Sequence, residues 1–276
     1  MNLIETLFYG FLSGLSDIVP VSAQAHRTLL ITLFGEDSEP ALLRLLLHIG
    51  TVAALYFGCQ NHILRIFRAY RISRIPKRRR TRPLDMSGLM DLRMLQTMLI
   101  PLIFAFIFYQ KITSLVTILS VLSFVLLLNG VILYIPQYLP GSNKDSLSLS
   151  PLDGILMGLA AAASLVPGIS CVGAVISVAA VRGADRTFSL NIALLTNLLV
   201  NLGLVVYDVI AILGTGLAGI SFGTLLGYLL AMVAAFGGTL LGITLMKKLA
   251  ATKGFGMFAY YCWGAAMFLF VLFLSV

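Results

Sequence analysis

Asp17, Ser22, Gln24, His26 and Arg27 bring a carboxylate, a hydroxyl, an amide, an imidazole and a guanidinium into one short piece of an otherwise apolar N-terminus. Those types can supply a nucleophile with a base beside it, and a cation to hold an anion. They straddle Pro20, which lacks an amide hydrogen and disfavours helix at Val19, so the spacing predicts a helix broken at that point. In hydrocarbon, backbone groups freed by such a break need partners in protein or in a water-filled cavity. A second stretch, from Gly158 to Gly173, repeats the build with Ser164, Pro167, Gly168 and Ser170. Helix starts following Pro20 and Pro167 would offer amides and a positive dipole end to an anion such as phosphate. His48, on the next helix, is a further candidate.

Each of these has a plain structural use as well. Serines at 13, 22, 164 and 170 can cap or bridge helices, and His48 can hydrogen-bond across helices. His62 sits among basic residues at a helix end, where solvation accounts for it. Asp17 would cost roughly 2.5–3.5 kcal/mol at the centre of a helix in lipid, so it is expected to face a cavity or to pair with Arg27 or His26.

The elements that must position these groups are membrane helices. The 276 residues are 59% hydrophobic and 11% charged, with a mean hydropathy of +0.99. A soluble domain carries about a quarter charged residues. Continuous apolar runs near the roughly 20 residues that cross a bilayer predict a polytopic all-helical protein and exclude an alternating β-barrel. The first residues lack a basic region ahead of the apolar stretch, so no cleavable signal peptide is expected. Cys59, Cys171 and Cys262 form neither a disulfide framework nor a metal motif and read as small packed residues.

The net charge of +8 is concentrated. Arg65, Arg68, Arg71, Arg74, Lys77, Arg78, Arg79, Arg80 and Arg82 fall in one linker with no acid between Ile63 and Leu84. Beside membrane spans this favours a cytoplasmic loop over nucleic-acid binding, and it suits anionic lipids of the inner leaflet.

In chain order, the expected architecture is one integral membrane domain, 1–276. A broken hairpin (1–34) and an acidic turn (35–40) precede a span at 41–59. The basic segment, 61–92, is cytoplasmic and starts with an amphipathic helix. Spans at 94–109 and 112–135 complete a first half, 1–135. A polar seam at 136–151 leads to the second half, 151–276, with a second broken hairpin (152–181), spans at 188–213 and 221–246, and a turn marked by Lys247, Lys248 and Lys253. A last span follows at 255–276. Span parity with both basic turns inside puts both termini and the 35–40 turn outside. The two hairpins then enter from opposite faces, the arrangement of an inverted-topology repeat with two re-entrant hairpins, six full spans and a central site.

Gly14-x-x-Asp17-x-x-Pro20-x-Ser22-x-x-x-His26 resembles the first signature of the undecaprenyl-diphosphate phosphatase (bacitracin-resistance) family. Leu47-His48-x-Gly50-Thr51 resembles that family's second helix, and Pro167-Gly168-x-Ser170-x-x-Gly173-Ala174 its second signature. The resemblance is collinear over nearly the whole chain. It implies a multi-pass bacterial inner-membrane protein that handles a C55 polyprenyl phosphate carrier used in cell-wall peptidoglycan synthesis. Carried over, Asp17, Ser22 and His26 are the catalytic candidates, and Arg27, Gln24, His48, Gly168, Ser170 and Gly173 the substrate-binding ones. No metal ligands follow; a divalent cation, Mg or Ca, enters only if the chain hydrolyses. A homodimer remains open.

The chain departs from the family pattern where the chemistry is densest. The family's two glutamates are Ser13 and Asp17 here, and its second serine, the nucleophile, is Ala23. The arginine of the second signature is Cys171, and the threonine after it is Val175. Cysteine cannot replace a guanidinium fork, and alanine has no hydroxyl. Two readings stay open: a carrier-handling protein that binds or translocates a polyprenyl phosphate or pyrophosphate with little or no hydrolysis, flippase-like, and a phosphatase with a rewired site. A small-solute transporter sharing only the scaffold is a third.

Overall fold

The computed structural model describes residues 1–114, 118–139, 143–216, 220–252 and 255–275. Its named elements are helices: α1 (Leu3–Ile18), α2 (Ala23–Leu33), α3 (Ala41–Ser73), α4 (Met86–Ile107), α5 (Tyr109–Ser114), α6 (Leu119–Tyr134), α7 (Pro151–Ala163), α8 (Cys171–Val181), α9 (Arg186–Thr215), α10 (Phe222–Thr252) and α11 (Met257–Ser275). Six are long and apolar enough to cross a membrane, α6 running on through the short turn at Ile135–Tyr138. Two of the shorter ones, α7 and α8, are apolar but too short to span.

Start and stop signals account for the broken pairs. Asn2 and Glu5 form a reciprocal capping box at α1, and the helix ends at the Val19–Pro20 break. Ser150 and Asp153 form the same box at α7, with Pro151 in its first turn. Each first limb then carries glycines four apart against a long helix. A Cβ on Gly10 or Gly14 would lie 2.3 Å from the Ala231 carbonyl oxygen or 2.0 Å from that of Ala235 on α10. One on Gly154 or Gly158 would lie 2.0 Å from Thr97 Oγ1 or 2.6 Å from the Met98 carbonyl oxygen on α4. Small residues let backbones approach where lipid offers no hydrophobic drive between helices. So α1 packs on α10 as α7 packs on α4, while α3 packs on α9 and α6 on α11.

The main apolar core surrounds α8 and α9, with Met98, Met157, Val172, Val175 and Ile192 fully buried. Outward faces carry Ile100, Phe104, Ile107, Phe222 and Phe268, a surface suited to lipid. The three cysteines are buried and free, as expected of packed residues.

Several boundaries differ from expectation. Helix α3 is 33 residues long, about 50 Å, so it continues well past position 59 and supplies the start of the basic segment. The return span begins at Leu119 rather than 112, because Gln110, Lys111, Thr113 and Ser114 form the separate polar helix α5. Helix α10 runs through Lys247 and Lys248; Lys253 and residues 140–142 of the expected seam lie outside the described residues. His62 is not simply solvated: its Nε2 is 2.9 Å from Asp91 Oδ2, which also pairs with Arg65.

Candidate functional site

The two breaks meet. Between α1 and α2 the chain bends so sharply that Ser22 takes φ 67°, the one positive φ among the described non-glycine residues. Its Oγ accepts the Ala25 amide at 3.4 Å and caps α2. Between α7 and α8, Gly168 adopts φ 109°, and Ser170 Oγ accepts the Gly173 amide at 3.2 Å. Asn129 of α6 ties the breaks together. Its Nδ2 donates to the Pro20 carbonyl at 3.2 Å and its Oδ1 accepts the Ser170 amide at 2.9 Å. A Cβ on Gly173 would lie 2.9 Å from Pro20 Cβ, so only glycine allows this approach.

A cavity of about 30 Å³ lies at this junction, room for little more than a water or two. Asp17, Ser22, Gln24, Arg27, His48 and Ser170 line it, together with Ser164, Asn197, Ala23 and Cys171. Gln24 and Arg27 also line a vestibule of about 360 Å³ that includes Tyr9, Glu39, Arg44 and Tyr109. Arg27 therefore stands at the boundary between the two.

Its setting is specific. Arg27 is buried, with Nη1 3.1 Å from His48 Nε2 and Nε 3.5 Å from Glu39 Oε1. A guanidinium only donates, so His48 Nε2 accepts and Nδ1 carries the hydrogen. That Nδ1–H donates to Asp208 Oδ2 at 2.7 Å, and Arg44 Nε donates to Asp208 Oδ1 at 2.7 Å. Tyr9 donates to Glu39 at 2.7 Å. Arg27 Nε and Gln24 Oε1 are buried without a hydrogen-bond partner. An anion at this boundary would compete with Glu39 for the Arg27 guanidinium and would meet the starts of α2 and α8.

Asp17 faces the cavity, the first of the two expected alternatives, and takes its hydrogen bonds from α9. The Nδ2 groups of Asn197 and Asn201 donate to its Oδ2 at 2.7 and 3.0 Å. His26 is absent from the lining. Its Nδ1 lies 2.8 Å from the Ser22 carbonyl oxygen, and its Nε2 lies 2.6 Å from the Tyr261 hydroxyl, on whose ring it stacks. With both nitrogens so engaged, His26 holds the bend and is not aimed at Ser22 Oγ. Gly168 and Gly173 likewise serve backbone geometry and packing rather than the lining. Ala23 and Cys171 line the cavity without the hydroxyl and guanidinium that phosphoryl transfer would use. Asp17 is the one carboxylate of the lining, and no three His, Cys, Asp or Glu among the described residues gather to hold a metal ion. That donor set does not fit a divalent cation.

Sequence reasoning missed Asn129, Asn197, Asn201 and Asp208. A signal existed for three of them. Asn197, Asn201 and Asp208 recur at intervals of four and seven, one face of an apolar α9, and polar residues inside a span point to a site.

The chain is similar to known proteins over nearly its whole length. The chain is 27% identical to the undecaprenyl-diphosphatase of Methanobrevibacter smithii over 98% of either protein. It is 28% identical to that of Carboxydothermus hydrogenoformans, covering 95% of this chain and 94% of the relative. It is 25% identical to that of Halothermothrix orenii, covering 99% and 98%. The family profile described as bacitracin resistance protein BacA matches residues 6–268. Six apolar spans and this match make the chain a multi-pass integral protein of the inner membrane, and it belongs to the bacitracin resistance protein BacA family.

Proposed function

We propose that this chain holds the phosphate headgroup of a polyprenyl phosphate or pyrophosphate, binding or translocating the lipid with little or no hydrolysis. The observation that carries the reading is Arg27, a buried guanidinium at the boundary of vestibule and cavity whose Nε makes no hydrogen bond, its ion-pair partner Glu39 lying 3.5 Å away. Hydrolysis needs a nucleophile, a base and neutralisation of charge growing on the leaving phosphate. At the family's nucleophile position stands Ala23, at the arginine position Cys171, and His26 is engaged by Ser22 and Tyr261. Binding needs less: a cation, helix starts and room for a tail between helices.

Translocation draws support from the packing of α1 on α10 and of α7 on α4, a pairing expected if 1–135 and 151–276 are inverted halves. In this reading the vestibule opens outward with both termini, and the basic segment 61–92 lies against anionic lipids on the cytoplasmic face. Binding of undecaprenyl phosphate to the purified protein tests it. Arg27→Ala should weaken binding about tenfold or more, the scale of one hydrogen bond between charged partners. Unchanged affinity in that variant would overturn it.

A further inference from the structure

At the opposite end of the α3–α9 pair lies a cavity of about 320 Å³ that the proposed headgroup site does not use. Asn61, His62 and Arg65 of α3, Asn191 of α9 and Lys247 of α10 line it, and no carboxylate is among the lining residues described. His62 is fourteen residues along α3 from His48, about 21 Å at helical rise. We propose that this cavity is a second phosphate-binding site, taking a phosphate monoester or diester group at the face opposite the Arg27 site. It rests on the reading above only for the ligand's chemistry.

The wall is built to present positive charge. Asp91, buried behind it, accepts from His62 at 2.9 Å and pairs with Arg65, which fixes the imidazole and guanidinium in place. Asp91 thus serves both His62 and Arg65, Arg65 Nε also lies 3.8 Å from Asp85 Oδ2, and Lys247 adds a second cation to the lining. The Lys247 ammonium donates to the Gly58 carbonyl at 2.8 Å, which holds it at the rim. An ammonium has three hydrogens to give, and Asn61 and Asn191 line the same cavity. Basic pockets between helices near the cytoplasmic face are where lipid phosphates are held. A soluble phosphate offers the same oxygens.

The test uses a thiol reporter in the cavity. Asn61→Cys, an exposed lining position, is labelled with a charged maleimide in full-length Arg27→Ala protein, so that the first site is silenced. One arm adds inorganic phosphate in phosphatidylcholine nanodiscs, and another replaces a third of the lipid with phosphatidylglycerol. Labelling should slow in at least one arm, and which arm responds identifies soluble phosphate or a lipid headgroup as the source. Lys247→Gln should raise the amount of anion needed about tenfold, whereas Lys247→Arg should keep protection. Labelling indifferent to both anions, or protection that survives Lys247→Gln, would overturn the second site. Loss of undecaprenyl phosphate binding on Arg27→Ala, read separately, would leave the first site standing in that case.

Discussion

Replacing Asp208 with asparagine tests whether the Arg44–Asp208–His48–Arg27 chain positions the headgroup cation. Asp208 is 1% exposed and accepts from Arg44 Nε and from His48 Nδ1, each at 2.7 Å. Asparagine keeps one acceptor and turns an amide nitrogen toward the other donor. If the nitrogen meets Arg44, that side chain, 28% exposed, can turn toward the vestibule at little cost. If it meets His48, the ring must move its hydrogen to Nε2, where it opposes Arg27 Nη1 at 3.1 Å. In the second case one buried hydrogen bond from a charged donor is lost, about 1.5–3 kcal/mol, and Arg27 is displaced. Asp208→Ala removes both acceptors and strands the buried partners, a loss of about 3–5 kcal/mol. Thermal unfolding in detergent reads the stability, and undecaprenyl phosphate binding reads the position of Arg27. The expectation is a moderate loss of stability with about tenfold weaker binding in Asp208→Asn. Lower stability with binding within twofold of the parent would refute the positioning argument.

Asn129→Ala should loosen both breaks together, lowering the melting temperature by the equivalent of about 1–3 kcal/mol, since the Ser170 amide is left without its acceptor and the Pro20 carbonyl without this donor. Gly173→Val should be destabilising by a similar amount, about 1–3 kcal/mol in a melt, because its side chain must displace Leu133 or Pro20. For topology, Arg78→Cys should be labelled by an impermeant maleimide only after the cells are opened, and Ser38→Cys in intact cells. Labelling of position 78 in intact cells would reverse the assigned orientation.

The frame of the site was legible because its causes are local. Pro20 and Pro167 interrupt helices wherever they stand, and the basic run at 65–82 announces a face of the membrane. The wiring of the site was not legible, because each partner comes from a distant segment. Asp17 is satisfied by α9, some 180 residues on, rather than by Arg27 ten residues away. His26 reads as a base for Ser22 by residue type and by the family resemblance. Instead Tyr261 draws its ring off, and the Ser22 hydroxyl is spent on capping. Asn129 lies in an apolar helix with nothing nearby in sequence to suggest that it clamps two breaks.

Phosphate release from undecaprenyl pyrophosphate by the purified protein, with and without divalent cation, tests the central claim most directly. It should be run beside a variant carrying glutamate at Ser13 and Asp17, serine at Ala23 and arginine at Cys171. The unmodified protein is predicted to bind the lipid yet release no more than a trace of phosphate, with turnover appearing only in the restored variant. Robust turnover by the unmodified protein, abolished by Ser22→Ala, would contradict the account and make Ser22 the nucleophile of a rewired phosphatase.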